Sequence, residues 1–76
     1  MPKSEKRKRF EKVAGKRVQF IIDKLDLLGN CSNRSNYEYS EEDVKKMFST
    51  IKERLRQIEV LYKEELNRSN KNNFKF

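Results

Sequence analysis

Seventy-six residues, 34% of them apolar and 41% charged, with a net charge of +7, make at most one small domain. A chain this short buries only about 60% of its unfolded surface, so its stability alone is marginal. No run of about 18 apolar residues is present for a membrane span and no apolar stretch follows the basic amino terminus, so a cytoplasmic protein without membrane contact is expected. One cysteine, Cys31, and no histidine leave no intramolecular disulfide, no zinc-ligand set and no imidazole for proton transfer.

In chain order, Ser4 is placed to cap a first helix running to about Leu28. Gly29 follows where a left-handed residue would close it. Residues 30–40, NCSNRSNYEYS, are rich in Asn and Ser, whose side chains compete for backbone hydrogen bonds and favour turns. Cys31 falls in this connection and reads as an ordinary reduced residue. Ser40 before Glu41, Glu42 and Asp43 forms an S-x-x-D cap with three carboxylates in the first turn. Tyr39 before the cap and Val44 after it have the spacing of a hydrophobic staple. This second helix is expected to run to about Asn67, leaving residues 68–76 as a flexible basic tail behind a single domain, 1–67.

Both helices carry an apolar stripe at steps of three and four. Phe10, Ala14, Val18, Ile21, Leu25 and Leu28 form one; Val44, Phe48, Ile51, Leu55, Ile58, Tyr62 and Leu66 form the other. An all-α antiparallel helical hairpin, with helices at about 4–28 and 41–67, matches the two along their length. In that register Phe10 meets Leu66, Ala14 meets Tyr62, Ile21 meets Leu55 and Leu28 meets Phe48. Val13, Phe20 and Leu27 widen the apolar face of the first helix to roughly 220°, more than one neighbour covers. Two hairpins joined as a four-helix bundle through Val13, Phe20 and Leu27 is the economical solution, which makes the protein a homodimer. The loop or tail folding back, or a different protein partner, would cover the same residues.

Charge is unevenly spread. Residues 1–17 hold eight basic side chains against two acidic ones, a net of +6, residues 68–76 add +3, and the middle is slightly acidic. Folding back as a hairpin would pool both basic ends at one pole. Such a pole attracts phosphate by counterion release without needing base contacts, so nucleic acid is the expected partner. The expected contacts are Lys6, Arg7, Lys8, Arg9, Lys12, Lys16 and Arg17. The first of these sit where positive charge opposes the helix macrodipole, a broken local rule of the kind found at functional sites. A second row, Lys45, Lys52, Arg56 and Lys63, is interrupted by Glu59 and reads as a solvated face. In the loop, Arg34 could clamp a phosphate or carboxylate, and Tyr37 and Tyr39 could stack on a base, though cap and turn duties account for Tyr39 and the asparagines equally well. Nothing matches a helix-turn-helix, a zinc finger or an aromatic RNA-binding strand.

Catalysis is not expected, because no carboxylate has apolar surroundings to tune it and a hairpin encloses little concave space. Neither a cofactor nor a small-molecule substrate is implied. The stretch GNCSNRSNYEYSEEDVKKMF, residues 29–48, resembles the core of a group of short basic bacterial proteins. The resemblance implies a setting near plasmid, phage or conjugative-element genes and carries context, not chemistry. Two functions follow as expectations. The first is a non-catalytic nucleic-acid-binding accessory protein; the second is a protein-binding regulator from a mobile element, acting on a host nucleoprotein or nuclease through its apolar stripe or loop.

Overall fold

The Ser4 hydroxyl accepts the Arg7 backbone N–H at 3.1 Å, and its carbonyl accepts that of Lys8 at 3.0 Å, which starts the first helix at the expected cap. The computed structural model describes residues 4–71, with side chains through Arg68. Helix α1 spans Glu5–Asn30 and helix α2 spans Glu41–Lys71, and no strand is present among the described residues. The chain divides into two units, Met1–Glu38 and Tyr39–Phe76, each built on one helix.

The end of α1 differs from expectation. Gly29 remains inside the helix, no glycine has positive φ, and the C-cap is Cys31 at φ −73° in the right-handed region. Cys31 and Ser32 donate to the Leu28 and Gly29 carbonyls at 3.0 and 3.1 Å, so a tightened last turn satisfies groups that a left-handed cap would otherwise serve. The connection then turns on Asn33. Its side-chain oxygen accepts the Ser35 N–H at 2.9 Å, and its carbonyl accepts those of Asn36 and Tyr37 at 3.1 and 3.0 Å.

Helix α2 starts as its sequence requires. The Ser40 N–H donates to Asp43 Oδ2 at 2.9 Å while the Asp43 N–H donates to Ser40 Oγ at 3.2 Å, a reciprocal pair. Tyr39 and Val44, the two ends of the staple, are half-buried between exposed neighbours. The carbonyl of Lys46 accepts the hydroxyls of Ser49 and Thr50 at 3.2 and 2.8 Å, returning two polar side chains to the helix itself. The helix passes Asn67 and includes Arg68, whose guanidinium lies 3.6 Å from Glu65. The remainder of the expected basic tail, residues 72–76, lies outside the described residues.

Packing is confined to neighbours in sequence, and none of the described side chains is buried. No long-range contact supports the antiparallel hairpin or the four-helix bundle. What the fold establishes is two helices, each with an apolar stripe exposed: Ile21 is 56% exposed on α1, and Leu55 is 57% exposed on α2. No helix among the described residues is long and apolar enough to cross a membrane.

Candidate nucleic-acid interface

All seven cations of the amino-terminal cluster, Lys6, Arg7, Lys8, Arg9, Lys12, Lys16 and Arg17, lie on α1 and are exposed. Eleven residue steps separate Lys6 from Arg17, so the cluster spans about 17 Å of helix. At about 100° per residue, Lys8, Lys12, Lys16, Arg9, Lys6 and Arg17 fall within one half of the cylinder, with Val13 among them. Arg7 falls on the other half. There its Nε donates to Glu11 Oε1 at 3.1 Å and its guanidinium lies 5.7 Å from the centre of the Phe10 ring. Both partners of that ion pair are substantially exposed, so the pair is worth only about 0.3–0.5 kcal/mol and a polyanion can displace it. Lys8 is held more loosely still, with Nζ 3.9 Å from Glu5.

One further cation belongs beside these. Lys24 Nζ lies 5.0 Å from the centre of the Phe20 ring, a cation–π contact one turn apart on the same helix. The aromatic residue at i and lysine at i+4 carried that signal in the sequence. On a regular helix Arg17 and Lys24 fall between the Val13/Phe20/Leu27 stripe and the Phe10/Leu28 side of the main stripe. The wide apolar face expected of α1 is therefore divided by a line of cations. Val13, Phe20 and Leu27 are all exposed, Phe20 most of all at 62%.

Arg34 and Tyr37 are not brought to this cluster. They follow the carboxy-terminal end of α1, and Asn30 alone is roughly 20 Å of helix beyond Arg17. Tyr37 is about half exposed, with its backbone tied into the Asn33 turn. Tyr39 is half-buried and immediately precedes Ser40, the cap of α2.

On α2, Arg56 is engaged with Glu53 through two hydrogen bonds, Nη2 to Oε1 at 2.7 Å and Nε to Oε2 at 3.1 Å. That hydrogen bonding and the opposite charge hold the Glu53 carboxyl below its ordinary value and raise the Arg56 guanidinium. With Arg56 neutralised locally and Glu59 beside it, the Lys45/Lys52/Arg56/Lys63 row offers no continuous phosphate track. A shallow depression on α2, lined by Ser49, Thr50, Glu53, Arg54 and Gln57, belongs to one helix surface and opens to solvent. Among the described residues no group of three His, Cys, Asp or Glu side chains is arranged for a metal ion. No family model, no curated protein and no solved structure matches this chain.

Proposed function

We propose that this protein is a non-catalytic nucleic-acid-binding accessory protein that grips phosphates through the amino-terminal half of α1. The observation that carries the reading is the half-cylinder of six exposed cations, Lys6, Lys8, Arg9, Lys12, Lys16 and Arg17, along about 17 Å of helix. A duplex carries one negative charge per about 1.7 Å of its axis with both strands counted, so a helix laid along a groove lies between two rows of phosphates within reach of its long basic side chains. Arg34, Tyr37 and Lys24 would add contacts only to a nucleic acid long enough to follow α1 to its end. Folding as an antiparallel hairpin would bring the carboxy-terminal cations to the same pole, and a four-helix bundle would double it. The reading stands on α1 without either.

Salt titration of binding to a labelled DNA duplex and to an RNA of the same length is the test. Each phosphate neutralised contributes about 0.9 to the logarithmic salt slope on duplex DNA, so Lys6, Lys8 and Arg9 replaced together by Gln should lower it by about 3. Arg7→Gln alone should change it by less than about 1, because that side chain lies on the other half of the helix and is already paired with Glu11. A slope unmoved by the triple replacement would falsify the assignment.

The exposed Phe20 and Leu27 favour a second reading, a protein-binding regulator from a mobile element that modulates a host nucleoprotein or nuclease. Retention of one defined host protein after nuclease digestion, lost in Phe20→Glu, is the result that would put it first.

A further inference from the structure

The seven-residue repeat of α2 assigns every flanking position along with the stripe itself. Phe48, Leu55 and Tyr62 take the a positions and Val44, Ile51 and Ile58 the d positions. Lys45, Lys52 and Glu59 then take e, while Met47, Arg54 and Leu61 take g. The helix is continuous over Glu41–Lys71 with its stripe exposed, Leu55 and Tyr62 each at 57%; in this repeat Glu65 takes the next d position and Leu66 the next e. An isolated helix with nothing buried gains no tertiary stabilisation, so this face needs a cover.

The charges beside the stripe discriminate between covers. Against α1 in the antiparallel register that sets Ile21 on Leu55, the flanking g position brings Arg54 opposite Lys24, a like-charge pair, and the e position brings Lys52 opposite apolar Ile22. Against α2 of a second copy run antiparallel with the whole stripe overlapped, Lys45 meets Glu59, but Lys52 meets Lys52 and Arg54 meets Arg54 on the twofold axis. Against α2 of a second copy run parallel, each g position faces the e position five residues on. Arg54 meets Glu59 from both sides, Leu61 meets Leu66, Met47 meets the lysine stem of Lys52, and no like charges face each other at these flanking positions.

We propose that α2 is a parallel coiled-coil element whose partner is α2 of another copy of this chain, with the paired Arg54 and Glu59 setting the orientation. Leucine at the central a position with isoleucine at the neighbouring d positions favours three or four strands over two. Parallel assembly carries one α1 into the complex with each α2, so the number of phosphate-binding helices rises with strand number. The proposal does not depend on nucleic-acid binding. Its outcome and that of the salt titration are read separately.

The test uses the full chain carrying Cys31→Ser, followed by sedimentation equilibrium and by disulfide trapping. Self-association is expected, and Glu41→Cys should cross-link to itself in a redox buffer. Monomer at all concentrations, or cross-linking only between a Glu41→Cys chain and a Glu65→Cys chain, overturns the proposal. Arg54→Glu gives an independent reading with opposite signs for the competing covers. In the parallel assembly it sets a carboxylate against Glu59 of each neighbouring helix and should weaken association on the order of tenfold, with Arg54→Glu/Glu59→Arg restoring it. In a hairpin the same substitution would place a carboxylate opposite Lys24 and stabilise the monomer, which is the opposite result and sinks the proposal.

Discussion

Helix α2 begins with three carboxylates and a reciprocal serine–aspartate cap, whereas α1 begins with one carboxylate followed by Lys6, Arg7, Lys8 and Arg9 and ends without a basic residue in its last turn. The macrodipole favours the first arrangement and opposes the second, by about 0.3–1 kcal/mol for each exposed charge in the terminal turn. Two helices of one short chain thus treat the same rule in opposite ways. Local stability accounts for the charges that open α2. For those that open α1 a partner outside the helix is the economical account, since a chain with no buried side chain among its described residues has little stability to spare.

The largest expected effect separates those two roles in a single variant. Replacing Lys6, Lys8 and Arg9 with Gln should remove about half of the salt dependence of nucleic-acid binding while making α1 more helical, by roughly 1 kcal/mol in total, because the opposition to the macrodipole is relieved. Circular dichroism and binding anisotropy on the same sample measure both. Loss of helicity together with binding would mean that these cations serve the helix, and the contrast between α1 and α2 would collapse.

Caps were the most legible part of the chain, since a cap is settled within four residues and needs no tertiary context. Ser4 and Ser40 both form the bonds their positions imply. Gly29 misled because glycine after a helix is enriched in the left-handed conformation without being confined to it, and here the helix continues to Asn30. The end of α2 lies beyond the expected Asn67 because apolar periodicity, which stops at Leu66, marks the face that needs a cover and not the extent of the backbone helix, which continues to Lys71. Within the candidate site the seven cations were visible as residues. Their sorting needs the angular position of each residue and its i, i+4 neighbour, Glu11 for Arg7 and Phe20 for Lys24, a signal the sequence carries but a count of charges overlooks, and it divides one apparent apolar face into two. Apolar spacing along α2 fits α1 and a second α2 equally well as covers, and only the flanking charges distinguish them.

Intermediate effects come from the backbone. Gly15 sits within α1 with nothing within 4 Å of the position its Cβ would occupy, so Gly15→Ala should stabilise that helix by about 0.5–1 kcal/mol and leave the salt slope unchanged. If binding falls instead, a partner backbone approaches α1 at that point. Ser40→Ala removes one half of the α2 cap and should cost about 1 kcal/mol. Ser4→Ala should cost a similar amount in α1. The two compared by thermal melting show whether the caps contribute equally once the cations no longer differ in the comparison.

The smallest expected effect is a pH dependence confined to the start of α2. Asp43 accepts the Ser40 backbone N–H, its Ser40 side-chain contact adds to the effect, and nearby Lys46 adds a further favourable charge, so its pKa lies below the ordinary value of 3.8. A carboxyl lowered on folding contributes stability that is present above its unfolded pKa and is lost as pH falls through its folded one. Acidification from neutral should therefore leave the cap intact until the pH drops below about 3.8, and the first turn of α2 should then fray. Asp43→Asn keeps an oxygen acceptor without the charge, so its helicity should vary less across that interval than the parent chain's. The Glu53 carboxyl in the middle of the same helix is likewise held below its ordinary value, by its hydrogen bonds and charge contact with Arg56. Because Asp43→Asn leaves that pair in place, subtracting its titration from the parent's isolates the cap, and an identical pair of curves would assign the acid transition to the Glu53–Arg56 pair instead.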